Sequence, residues 1–124
     1  MRPLLSAVAL SFLTSIAHAA NPTSERILAL SSAKQRVYWT DVLHKSGEMC
    51  NQVVKVMYQG GRRSGVDDWS IGCRDGNAYQ AVIEPNDEGT TSLIGCDEVG
   101  QLDTMRMSQI GKPPSTNVGC WRKY

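Results

Sequence analysis

The sequence predicts an α+β fold: an antiparallel four-stranded meander with one packed N-terminal helix, stapled by two disulfides. Three observations carry that expectation. A hydrophobic-Gly-Cys triplet recurs as Ile71-Gly72-Cys73, Ile94-Gly95-Cys96 and Val118-Gly119-Cys120. Together with Cys50 it spaces the cysteines 23, 23 and 24 residues apart, a step that matches one hairpin out and back. Before Cys50 the apolar residues recur at helical spacing, and after it they alternate. Clusters of glycine, asparagine and aspartate then cut the second region into short segments, as hairpin turns require.

The N-terminus comes first in order. Met1-Arg2 is a short positive start, Leu4 to Ile16 is largely apolar, and Ala17-His18-Ala19 offers a small-residue cleavage site. That order of parts reads as a secretory signal peptide over residues 1–19. The apolar stretch is shorter than the roughly 20 residues that cross a bilayer, and no later stretch reaches that length. Cleavage after Ala19 leaves residues 20–124, a length that fits one small domain exported to the periplasm or secreted. Without Arg2, 12 basic side chains balance 12 acidic ones, so nucleic acid is not an expected partner and no membrane span is expected after signal removal.

Residues 20–30 form an N-terminal arm ahead of a single α+β domain at 31–124. The arm opens with Asn21-Pro22 and turns apolar at Ile27, Leu28 and Leu30, as a short helix or a docked segment would. Ser32-Ala33-Lys34-Gln35 has the form of a capping box, which predicts a helix from about Ala33 to Ser46. Gly47 is placed to close it in the left-handed conformation. Tyr38, Trp39, Val42 and Leu43 fall on one face of that helix and read as core. Val53 to Tyr58 is β-branched and predicts the first strand, followed by a glycine-rich polar loop from Gly60 to Asp68. Trp69 to Cys73 is the second strand, with Trp69, Ile71 and Cys73 on one face. Asp75-Gly76 predicts a two-residue hairpin turn. Tyr79 to Ile83 is the third strand, Pro85 to Gly89 a turn, and Thr90 to Cys96 the fourth strand. Residues 97–124 show no clear period. Lys112-Pro113-Pro114 breaks them, and Val118 to Trp121 reads as a short edge strand or a return to the body.

Four cysteines in an exported chain of this size read as two disulfides. No C-x-x-C pair is present for a zinc knuckle or a redox centre, so neither a metal nor a cofactor is expected. In a meander the end of the second strand lies beside the start of the first, which brings Cys73 to Cys50. Cys73 and Cys96 have a strand between them and would lie about 10 Å apart, too far for a bridge. Cys50–Cys73 with Cys96–Cys120 is therefore the preferred connectivity of the three.

The ordered features also form a pattern. Leu43 and Gly47 lead to Cys50-Asn51-Gln52-Val53. Trp69-Ser70-Ile71-Gly72-Cys73 runs through Asp75-Gly76 to Tyr79. Cys96 precedes a close of Cys120-Trp121-Arg122-Lys123-Tyr124. Over residues 37–124 this resembles small exported four-cysteine proteins of bacteria that carry no assigned activity. The resemblance implies a fold frame and a periplasmic address, and it brings no catalytic residue with it.

The residues give little to catalysis. His44 is the single histidine after the cleavage site and falls near a helix C-terminus, where a partial positive charge is favourable. Ser46, Ser64 and Ser70 lie in no nucleophile elbow. The acidic pairs Asp67-Asp68, Asp87-Glu88 and Asp97-Glu98 read as solvated charges at strand ends and turns. The expected function is a non-catalytic protein that binds another protein or an envelope component. The contacts expected from position are Arg62, Arg63, Asp67, Asp68 and Trp69, on the 60–68 loop and its exit. Narrower or different readings are an inhibitor of a cell-wall hydrolase such as lysozyme, an accessory subunit of an envelope complex, or a small hydrolase using paired carboxylates.

Overall fold

A computed structural model describes residues 21–112 and 120–121. The expected signal peptide at 1–19 and Val118-Gly119 of the expected edge strand lie outside the described residues. In order, the elements are α1 (Pro22–Leu28), α2 (Ser32–Lys45), β1 (Val53–Gly61), β2 (Asp67–Cys73), β3 (Ala78–Ile83), β4 (Thr91–Gly95) and α3 (Cys96–Gln109). The four strands form one antiparallel sheet in the order β1-β2-β3-β4, the predicted meander. The two disulfides are Cys50–Cys73 and Cys96–Cys120, with Cα separations of 5.5 and 5.3 Å.

Each helix is bounded by its own sequence signals. Asn21 caps α1 by accepting from the Ser24 amide at 3.0 Å, with Pro22 at the first helical position, where its missing N–H costs nothing. The cap of α2 is Ser31 rather than Ser32: its hydroxyl accepts from the Lys34 amide. Gln35 does not turn back to close a capping box. It donates to the Ile27 and Leu30 carbonyls, tying α2 to the end of α1. At the other end Gly47 has φ +75° as expected, and Glu48 N–H reaches the Leu43 carbonyl at 3.0 Å in a Schellman closure.

The hairpin after β2 differs from expectation. Cys73 N–H bonds the Asn77 carbonyl and Gly76 N–H bonds the Cys73 carbonyl, which makes a three-residue loop. Asp75 keeps a negative φ, and only Gly76, at +89°, takes the left-handed conformation. Asp75 instead accepts from the amides of Asn77 and Asn51, both at 3.0 Å, pinning the turn to the chain just after Cys50. Those amides hold its carboxyl below the usual carboxylate range.

Side chains alternate across the sheet and give it two different faces. The near face is covered by α2. Trp39, Leu43, Val53, Trp69, Ile71, Ala81 and Ile83 are buried there, with Tyr38, Val42, Val56, Tyr58 and Leu93 packed around them. Trp69 is the centre: the rings of Trp39 and Tyr58 lie 5.7 and 4.9 Å from it, and its indole N–H donates to Ser24 at 2.9 Å. Burying side chains of this size contributes about 1.5–3 kcal/mol each. The far face carries Gln59, Asp68, Ser70 and Gln80, and there Cys120 and Trp121 return onto the sheet. Gly72 is the glycine that makes room for this return. A Cβ on it would stand 3.1 Å from Trp121. Gly95, in the second triplet, has no neighbour that close.

Candidate functional site

The segment singled out from the sequence is shorter and drier than expected. β1 extends to Gly61 and β2 begins at Asp67, pairing Gly60 with Asp68 and Gly61 with Asp67. Only residues 62–66 connect them. Asp67, Asp68 and Trp69 are therefore 1, 3 and 1% exposed, and none of the three can serve as the surface contact expected of it. Arg62 is half exposed but committed: its Nε and Nη2 donate to the two oxygens of Asp68, both at 2.8 Å. Arg63, at the exposed tip, is the other member of the set that faces water.

The reading of Asp67-Asp68 as solvated turn charges is likewise corrected, because adjacent strand residues point to opposite faces and both faces are covered here. Asp68 lies on the far face, where Gln80 also donates to it at 3.1 Å. Asp67 lies at the near-face end. It accepts from the Asn21 amide at 3.3 Å and from the Tyr58 hydroxyl. Gly61 is needed beside it, since a Cβ there would stand 2.7 Å from Asp67 Oδ1. Burial first, then the charge of Asp67 and the hydrogen bond to it, push the Tyr58 hydroxyl up to about 12. Asp87-Glu88 and Asp97-Glu98 are exposed, in the β3–β4 turn and the first turn of α3.

The remaining candidates are dispersed. His44, in the last turn of α2, donates from Nε2 to the Cys50 carbonyl at 2.6 Å and so braces the chain leading into β1. Ser46 is the α2 C-cap, Ser64 is at the β1–β2 tip, and Ser70 donates to the Cys120 carbonyl on the far face. Among the described residues no group of three His, Cys, Asp or Glu is placed to hold a metal ion, and no helix is long and apolar enough to cross a membrane.

What the sequence reading missed is α3. Its boundaries carry recognisable signals: Asp97 and Glu98 in the first turn, Arg106 in the last, and Gly111 at φ +68° closing it, with Lys112 N–H on the Met107 carbonyl at 3.0 Å. Its apolar residues misdirect a search for a buried stripe. Gly100 is the buried position, whereas Leu102, Met105 and Ile110 at the helix end are 60, 62 and 57% exposed. A cleft of about 890 Å³ lies between this helix and Trp121, lined by Ala78, Asp97, Gly100, Gln101, Thr104 and Met105 among others. The Lys55 ammonium sits 4.1 Å from the Trp121 ring centroid, at cation–π distance. A smaller groove of about 420 Å³ runs between α2 and β1 past Arg36, Val37, Thr40 and His44.

No protein-family model matches the chain, and no curated protein or solved structure matches it.

Proposed function

We propose that this protein is a non-catalytic exported module that binds another protein or an envelope component, with the outward side of α3 and the cleft beside Trp121 as its contact surface. The observation that carries the reading is Leu102 and Met105 on the 14-residue helix α3, with Ile110 just past its end, three large apolar side chains each more than half exposed. Apolar groups gathered on one element, beside a concave surface, are a recurrent mark of an interaction site. The helix is also held for the purpose: its first residue, Cys96, is bridged to Cys120, next to Trp121. The buried charged residues support the same reading, because Asp67 and Asp68 are spent on internal hydrogen bonds rather than presented to a substrate.

A photo-crosslinking side chain at position 102, compared with one at position 63, tests this in cells exporting the full chain. Adducts from position 102 and none from position 63 are expected. Adducts from position 63 alone, or from neither, overturn the assignment. The identity of the adduct, a cell-wall hydrolase such as lysozyme or a subunit of an envelope complex, separates the narrower forms of the reading.

A further inference from the structure

The two disulfides are sheltered to different degrees. Cys50 and Cys73 are each 6% exposed and belong to the near-face core with Leu43, Val53 and Ile71. A reagent reaches that bridge only when the core opens. Cys120 is equally buried, at 5%, but its partner is not. Cys96 is partly exposed and lines the cleft between α3 and Trp121, the one cysteine of the four with an approach from solvent. Accessible disulfides are the labile ones, whereas buried structural bridges resist exchange.

The two ends of the exposed bridge are held unequally. Cys120 has other holds: its carbonyl accepts from the Ser70 hydroxyl and from Gln59 Nε2. Trp121 beside it lies over Gly72, with Lys55 Nζ 4.1 Å from its ring centroid. Cys96 opens α3, a helix that brings little packing of its own. The buried residue of α3 is Gly100, which has no side chain to remove from water, whereas α2 buries Trp39 and Leu43. Each such side chain contributes about 1.5–3 kcal/mol when fully buried. The bridge thus does for α3 what buried side chains do for α2.

We propose that Cys96–Cys120 is a site of thiol–disulfide exchange: a dithiol entering the cleft reduces it while Cys50–Cys73 stays closed, and reduction releases α3. One thiolate of the dithiol attacks Cys96 Sγ, the S–S bond breaks, and its electron pair leaves on Cys120 Sγ, which takes up a proton. The second thiol then attacks the reductant's own sulfur in the mixed disulfide. That closes a disulfide within the reductant and frees Cys96, which is protonated in turn. Two electrons and two protons pass from the dithiol to the two cysteines. Leu102 and Met105 leave their fixed place beside Trp121 with the helix, so binding at the contact surface is switched off in the reduced form. That last consequence rests on the contact surface proposed above; the exchange itself does not.

The oxidised full-length exported protein, folded and without denaturant, is incubated with dithiothreitol, quenched with an alkylating reagent at intervals and mapped by peptide mass. Cys96 and Cys120 are expected to label together at least about tenfold faster than Cys50 and Cys73, with the difference falling below about twofold in urea, where burial no longer separates the bridges. Equal rates in the folded protein, or Cys50 and Cys73 first, overturn the exchange. Release of the helix is read by trypsin cleavage after Arg106 in α3. At least about tenfold faster cleavage is expected once Cys96 and Cys120 are alkylated, and an unchanged rate overturns the release. Crosslinking from position 102 then separates the switch from the reading it rests on. Adducts formed by the oxidised protein and lost in the selectively reduced one support the switch, and equal yields overturn it. No adducts from either form overturn the contact surface, while the labelling order still decides the exchange.

Discussion

On one face of the sheet, Trp39, Leu43, Trp69 and Ile71 exclude water by filling space. On the other, Gln59, Asp68, Ser70 and Gln80 exclude it by bonding to one another, to Arg62 and to the Cys120 carbonyl. The two differ in how each tolerates change. Apolar packing is non-directional, and its strength scales with the area removed from water. A buried polar network holds only while each member keeps its partners, and among the described residues Gln59 Oε1 already lacks one. The near face is therefore suited to set the fold. The far face is suited to hold the returning tail and, with it, the α3 cleft in one register.

Truncation of the near face should have the largest effect. Trp69→Ala removes the ring between Trp39, Tyr58 and Ser24, and is expected to cost about 3–5 kcal/mol in urea unfolding of the oxidised protein. A loss below about 1 kcal/mol would mean that the core is not centred on this residue. Arg62→Ala leaves Asp68 buried with, among the described residues, Gln80 as its one side-chain donor. Because the guanidinium is half in water, its removal should cost about 1–2 kcal/mol rather than the larger penalty of a fully buried pair. Asp68→Asn, which removes the charge together with the need for its partner, should cost less than Arg62→Ala; the opposite ranking would assign the network a different organisation.

A smaller effect is expected with pH. Folded Tyr58 holds its proton to about 12, whereas an unfolded tyrosine releases its own near 10. In that interval the folded state binds more protons, so this contribution to stability is complete below about pH 10 and is lost as pH rises towards about 12. Tyr58→Phe should flatten that part of the stability curve, and an unchanged alkaline slope would remove Tyr58 as its source. Smallest of all on stability is Leu102→Glu with Met105→Glu, expected within about 0.5 kcal/mol of the parent because both side chains already face water. The same pair should abolish crosslinking from a probe at Gln101, which lines the cleft.

These contrasts also explain which parts of the molecule were legible in the sequence. Near-face elements announce themselves, since Trp69, Ile71 and Cys73 alternate and Tyr38, Trp39, Val42 and Leu43 recur at helical spacing. The disulfides follow, because a 23-residue step places Cys73 beside Cys50 in any meander. The far face is hidden for a physical reason. Its buried residues are polar, so Asp68, like its near-face neighbour Asp67, reads as a solvated turn charge after a glycine-rich stretch until strand pairing carries both inside. The helix α3 is hidden by the inverse pattern, with glycine inward and Leu102 and Met105 outward. Its terminal charges and Gly111 were the usable signals, and apolar periodicity was the wrong guide. The working surface proposed here is thus made of residues that break the binary pattern.

The division of labour between the faces is tested most directly by hydrogen exchange in Cys96→Ala with Cys120→Ala. Removing that bridge releases a 24-residue separation and should cost about 3 kcal/mol. The account predicts that amides across residues 69–73 and 79–83, at the centre of the near-face core, stay among the most protected, while those of residues 96–109 exchange at least about tenfold faster than in the parent. Equal loss of protection in the sheet and in α3 would contradict it, and would make the far-face staple a requirement of the fold rather than the holder of its tail.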